Sequence, residues 1–287
     1  MKFNVKKFVI ILASIMAGSF IIAGILFYVT GGISTVAVDV SQIQTSKKYE
    51  SEDVEKIIIK TVNTDVDIIP AVIKNVDIDF YGNIRTNLVR GMPELRTFLE
   101  DGVLTVEIKY PRAIRLGLIN LSQLHLDMYI PGEYSGDITV ITSSGDLNIK
   151  DLNLGSLDFQ STSGELIADS VTAQEIKIES TSGGIMLASV EGALAANTIS
   201  GDLTASLKYL SNDLNVKTLS GDVTIGLPEN SEFIFDLNSA VGDISNEFGA
   251  KISFIDSGSM EGTVGEGTFK ITVESTSGDI NILKGGK

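Results

Sequence analysis

Apolar and polar residues alternate with a period of two along most of this chain, the spacing of half-buried β-strands. The alternation starts at Val54–Thr61 and continues through Val66–Ile69 and Val76–Phe80, all rich in β-branched residues. Leu95–Leu99 and Val103–Tyr110 are separated by Asp101-Gly102, a turn pair that predicts a β-hairpin. Leu124–Ile130 alternates again and stops at Pro131-Gly132. The exception lies at the N-terminus, where Phe8–Val29 runs 22 residues without a charge. A helix of that length spans about 33 Å, enough for a bilayer core of about 30 Å. It ends in Phe27-Tyr28-Val29, not in the small-residue site expected of the competing reading, a cleaved signal peptide.

Beyond Ile138 the alternation is organised into copies of one phrase. TSSGDLNI (Thr142–Ile149) returns as STSGELIA, STSGGIML, TISGDLTA, TLSGDVTI, SAVGDISN and STSGDINI. Their glycines stand at 145, 164, 183, 201, 221, 242 and 278, in steps of 19, 19, 18, 20, 21 and 36. A fixed period near twenty predicts a solenoid in which each period is one coil. The fold expected is therefore all-β: a parallel β-solenoid of about 19–20 residues per coil, preceded by one N-terminal transmembrane helix. The double-length last step predicts a degenerate copy near Gly258–Gly262. Eight coils at about 4.8 Å each would rise roughly 38 Å.

Aligned on the glycine, the copies form columns. Positions seven and five before it are apolar, as in Ile138 and Val140 or Leu157 and Phe159. Hydroxyl residues follow three before it (Thr142, Ser161, Ser180, Thr198, Thr218, Ser239, Ser275) and one before it, from Ser144 to Ser277, with Val241 the exception. Apolar residues resume two after it, so the alternation slips by one at the glycine. Gly145, Gly164, Gly183, Gly201, Gly221, Gly242 and Gly278 are thus structural corners, where glycine accepts a positive φ and both hydroxyl columns are expected to face inward. The next position is acidic in Asp146, Glu165, Asp202, Asp222, Asp243 and Asp279, with Gly184 the exception. Stacked one coil apart, these carboxylates form a candidate calcium row, since calcium takes oxygen ligands. The competing reading is that the acids bond local backbone and that solvent screens the row.

Composition narrows what such a rod can do. The net charge is −15, from 37 acids against 22 bases, which disfavours nucleic acid as a partner. There is no cysteine and one histidine, His125, so disulfides, thiolate sites and most histidine-based catalysis are excluded. Lys2, Lys6 and Lys7 precede the apolar run and place Met1 in the cytoplasm and the C-terminal domain outside the cell, anchored single-pass through Phe8–Val29. Without them the remainder holds 19 bases against 37 acids, a charge of −18. The expected organisation is a cytoplasmic N-terminus (1–7), the transmembrane helix (8–29), a stalk (30–49), irregular β coils forming a cap (50–132) and the regular solenoid (133–287). All five arginines, Arg85, Arg90, Arg96, Arg112 and Arg115, fall in the cap as a candidate patch for an anionic partner, against the plainer reading of solvated loop residues.

The acids recur as a register, without a unique cluster or partner base, so the chain reads as no enzyme; a polysaccharide-active β-helix enzyme is the remote alternative. No catalytic residue, cofactor or obligatory metal is assigned. The repeated corners, the segment TLSGDVTIGLPENSEF (Thr218–Phe233) and the closing ESTSGDINI (Glu274–Ile282) resemble the bacterial "putative adhesin" family. The layout of lysines, one apolar span and an SGD-rich remainder is similar to that of LiaG-like members, encoded with cell-envelope stress-response proteins in Firmicutes. The resemblance covers about residues 50–287. It implies a membrane-anchored scaffold or binding protein of the cell envelope, whose partners would be envelope proteins or glycans, with a surface adhesin as the alternative.

Overall fold

A computed structural model describes residues 40–85, 92–111 and 123–285. The expected anchor Phe8–Val29 lies outside the described residues; among these, no helix is long and apolar enough to cross a membrane. The first seven strands form the cap: β1 (Val40–Glu50), β2 (Lys56–Lys60), β3 (Asp65–Ala71), β4 (Asn75–Arg85), β5 (Glu94–Glu100), β6 (Val103–Lys109) and β7 (Leu124–Pro131). The coils follow as β8 (Asp137–Thr142), β9 (Leu147–Ser161), β10 (Leu166–Ser180), β11 (Ile185–Ser200), β12 (Leu203–Leu207), β13 (Leu214–Ser220), β14 (Val223–Leu227), β15 (Phe233–Val241) and β16 (Ile244–Asn246). The end is built by β17 (Lys251–Asp256), β18 (Ser259–Val264), β19 (Phe269–Ser277) and β20 (Ile280–Lys284).

Each coil carries one strand into its corner and one out of it, which gives the rod a leading and a trailing face. In-register parallel pairs such as Ile176↔Leu157 and Leu166↔Ile185 hold the coils together. Alternate residues from both faces meet in a dry core: Val140, Phe159, Ile178 and Val216 from one, Leu147, Leu166, Leu203 and Ile280 from the other, all fully buried. Each such side chain contributes about 1.5–3 kcal/mol relative to exposure, so the stack is held by its length. The outward-facing residues between them are polar or half exposed, as the alternation predicts.

Stacking order departs from chain order at both ends. On the leading face the sequence of strands is β5, β6, β2, β8, β9, β10, β11, β13, β19, β15, β18, β17. On the trailing face it is β1, β4, β7, β3, β9, β10, β11, β12, β14, β20, β16. The chain lays down β2 and β3, runs outward through the rest of the cap, and returns to place β8 against β2. At the far end it builds β15 and β16, then returns to wedge β19 and β20 between them and β13 and β14. Gly258–Gly262 therefore holds no degenerate coil. It belongs to the antiparallel hairpin β17–β18, and the double step from 242 to 278 is the length of this detour.

The missing eighth corner is at the other end. Lys60–Ile68 aligns with Ile141–Ile149, with Thr61 in the place of Thr142, Thr64 in that of Gly145 and Asp65 in that of Asp146. Residues 40–49, expected as stalk, are instead most of β1, which pairs along its whole length with β4. With only Ile43 and Tyr49 packed against the core, this edge strand has the composition of a linker.

Candidate functional site

The corners themselves explain most of the repeated residues. A Cβ placed on Gly164 would lie 2.1 Å from the Gly145 carbonyl oxygen, and one on Gly145 would lie 2.0 Å from that of Thr64. The same overlap recurs up the stack, from Gly183 through Gly201, Gly221 and Gly278 to Gly242. Close approach of neighbouring coils is common to all seven glycines, whereas the expected positive φ is found in five, Gly183, Gly201, Gly221, Gly242 and Gly278. Thr64 begins the column, and beside it stands the Tyr110 hydroxyl, hydrogen-bonded to Thr61 Oγ1 at 2.9 Å and to Thr64 Oγ1. That is why this one corner carries a side chain.

The two hydroxyl columns differ. The one three before the glycine is inside, and at five of the seven corners it bonds to the backbone of the bend: Thr142 Oγ1, for example, accepts from Gly145 N–H at 2.9 Å, and Ser239 Oγ donates to the Gly278 carbonyl at 2.8 Å. The serines immediately before the glycine, Ser144, Ser163, Ser182, Ser200, Ser220 and Ser277, are exposed, contrary to expectation. The backbone has begun to turn one residue earlier than the slip in the pattern implies. A second corner, invisible in the sequence, follows six residues after three of the glycines, where Asp151, Ser170 and Ser189 adopt φ of 53°, 56° and 53°.

The acid row has a structural job. Asp146 N–H donates to Asp65 Oδ1 at 3.2 Å, Glu165 N–H to Asp146 at 2.8 Å, Asp222 N–H to Asp202 at 2.9 Å, Asp279 N–H to Asp222 at 2.8 Å and Asp243 N–H to Asp279 at 2.8 Å. Each aspartate so used receives the backbone of the next coil, a charge-assisted bond that offsets the repulsion along the row. Among the described residues no three acidic or histidine side chains converge to hold a metal ion. Of the five arginines only the side chain of Arg96 lies within the described residues, and it is paired with Glu94 at 3.0 Å; those of Arg85, Arg90, Arg112 and Arg115 lie outside them.

A more distinctive group sits where the cap meets the first coils, on the outer side of the trailing face. Antiparallel β4 and parallel β3 flank β7, and their registers set Asp79 opposite Asp127 and Asp127 opposite Asp67. Asn148 continues the row on β9 and Ser46 on β1. Ser46 Oγ donates to Asp79 at 2.5 Å and Asn148 Nδ2 to Asp67 at 3.1 Å, while Asp127 accepts from Tyr81 at 3.2 Å and Tyr129 at 3.4 Å. His125 stacks on Tyr81, with ring centres 5.5 Å apart. Partial burial pushes the Asp127 carboxyl above the ordinary range; the charge of Asp67 adds to this and the tyrosine hydrogen bonds oppose it. Burial and the Asp127 charge likewise raise Tyr81 and Tyr129, which keeps both hydroxyls as donors.

Like charges directly opposite one another on adjacent strands destabilise a sheet. Three in a row, beside exposed Tyr81 and half-buried His125, is a departure from what packing asks. It offers carboxylate acceptors at strand spacing and a flat ring face, an arrangement suited to a ligand rich in hydroxyl or ammonium donors. The sequence shows these residues only as scattered polar positions of three strands, with no motif to join them.

The family described as Toastrack DUF4097 matches residues 52–283, and the chain belongs to that family. Similar solved structures include a "putative adhesin" from Bacteroides fragilis, 16% identical over 85% of this chain and 98% of that one, with a TM-score of 0.47. Others are a "putative cell adhesion protein" from Clostridium sporogenes (15% identical, 85% and 100% covered, TM-score 0.39) and a "putative lipid binding protein" from Parabacteroides distasonis (14% identical, 85% and 97% covered, TM-score 0.34). No curated protein matches the chain.

Proposed function

We propose that this Toastrack chain is a non-enzymatic, membrane-anchored, extracytoplasmic binding scaffold of the bacterial cell envelope, linked to the envelope stress response. The observation that carries the binding role is the row Asp79–Asp127–Asp67 with its Tyr81–His125 ring pair, polar groups held in register on a rigid face at a cost to stability. The three lysines ahead of the uncharged run Phe8–Val29 support the anchor and its orientation. The five arginines of the cap are proposed as a second contact, for an anionic partner. Cross-linking in intact cells followed by capture should recover integral-membrane neighbours with the native chain and lose them with Asp67→Lys plus Asp127→Lys. Capture indifferent to both substitutions would remove this face from the function, and full protection of residues 50–285 from protease on protoplasts would overturn the orientation.

A surface adhesin is the second reading. The Tyr81–His125 face beside Asn148 and the carboxylates is the kind of platform on which a sugar ring stacks and its hydroxyls find acceptors. Recovery of wall glycan in place of membrane proteins would favour it.

A further inference from the structure

The rod treats the outer edges of its sheet unequally. A free edge invites pairing with another chain, and proteins blunt it by shortening it or by loading it with charge. On the trailing face the far edge is β16, three residues long, and the near edge is β1, which carries Lys47, Lys48 and mostly polar residues. On the leading face the near edge is β5, with Glu94, Arg96 and Glu100, tied to β1 by Tyr49 Oη on Thr97 Oγ1 at 2.6 Å. The far edge, β17, is six residues long and carries charge only at its two ends, Lys251 and Asp256. All six of its residues are exposed, among them Ile252 (47%), Phe254 (48%) and Ile255 (64%), and it pairs with β18 alone.

Its sequence, Lys-Ile-Ser-Phe-Ile-Asp, is complementary to itself when read antiparallel. In a regular strand Lys251 and Asp256, five apart, would point to opposite sides and could not meet across a two-fold axis. The β-bulge between Ile252 and Phe254 corrects this. Opposite β18, Lys251, Phe254 and Asp256 share the side of Thr263, Glu261 and Ser259, while Ile252 and Ile255 share that of Gly262 and Met260. Two β17 strands paired about a two-fold axis at Phe254 then set each Lys251 opposite the other copy's Asp256. Each Ile252 meets the other copy's Ile255 on the opposite side, and the two phenylalanines meet on the axis.

We propose that β17 is the seam of a symmetric dimer, in which the leading faces of two copies join into one continuous sheet. An isologous contact of this kind closes on itself, so the free edge ends in a dimer and not in a fibre. The absence of native cysteine gives a clean reporter. In the full-length chain in its membrane, Phe254→Cys should form an intermolecular disulfide under mild oxidation, since directly opposed residues lie about 4.5–5.5 Å apart at Cα. Val72→Cys, fully exposed near the other end, should not. Light scattering of the detergent-solubilised chain should give two protein copies per particle. Lys251→Asp or Asp256→Lys alone should weaken the association about tenfold or more, because like charges then oppose each other twice per seam. The double substitution should restore it, with the circular-dichroism spectrum of the folded chain unchanged throughout and the melting midpoint following the association. A single copy per particle for the native chain, or a dimer indifferent to both single substitutions, would overturn the seam. Failure of the double substitution to restore association would overturn this register.

Discussion

At each corner one atom decides what the position tolerates. Gly221 has φ of 138° and would place a Cβ 2.3 Å from the Gly201 carbonyl oxygen, so Gly221→Ala combines backbone strain with overlap against a neighbour that cannot move alone. A cost of at least about 1–3 kcal/mol is expected, read as a drop of several degrees in the melting midpoint by circular dichroism. Gly184, one residue past a corner with open space where its Cβ would be, is the matched control, and Gly184→Ala should leave the midpoint where it is. The acid row makes a second residue-level contrast. Asp279 accepts the Asp243 N–H, whereas Asp243 ends the column. Asp279→Ala should therefore cost about 1 kcal/mol in urea titration and Asp243→Ala clearly less. Because four of the six carboxylates of the row, Asp146, Asp202, Asp222 and Asp279, are occupied by backbone, calcium followed by chelator should leave the melting midpoint unchanged; a calcium-dependent rise would restore the ion to the row.

At the scale of strands, the cross-strand trio on β4, β7 and β3 has a pH signature whose sign is fixed by its cause. A carboxyl whose pKa rises on folding binds its proton more tightly in the native state, so stability falls as pH rises from the ordinary aspartate value, about 3.8, through the raised one. Above that window the penalty is fully present. Asp127→Asn, which keeps an acceptor for the tyrosines, should raise the melting midpoint at pH 7, and the gain should vanish below about pH 3, where the native carboxyl is protonated too. A substitution that stabilises the fold while abolishing capture of partners would mark the row as kept for binding. How far the strands could be read beforehand follows from the same physics. Alternation, the Asp101-Gly102 turn and the glycine columns report local geometry: the strands and the hairpin appear where expected, and the corners do too, with a positive φ at five of the seven glycines. The row of aspartates depends on which strand lies beside which, a long-range property with no local code. The Thr64 corner was hidden for a related reason: ending the column removes the overlap that makes glycine necessary, and with it the letter by which the other seven are recognised.

The whole molecule is shaped by its two returns, and these separate order along the chain from order in space. Ile57 pairs with Ile138 and Val216 with Val273, so the rod cannot be closed by adding coils one after another as they follow in the chain. The cap has to fold back before β8 finds its neighbour, and the terminal coil must enter a slot already walled on both sides. Contacts this distant in sequence fold slowly compared with nearest-neighbour stacking. They also invert the fraying expected of a solenoid, in which the last coil opens first. Strand β20 lies at the end of the described chain, yet it is bonded to β14 on one side and β16 on the other, with Val223 N–H donating to the Asp279 carbonyl just ahead of it and Ile280 N–H to that of Asp243. Strand β16 comes earlier in the chain but has a neighbour on one side only. In native-state hydrogen exchange, the amides of Ile280–Lys284 should therefore be protected to nearly the same degree as those of Val223–Leu227, while Ile244–Asn246 exchange orders of magnitude faster. The reverse ranking, with protection fading toward the C-terminus, would mean that the last coil sits on the end of the stack and not inside it.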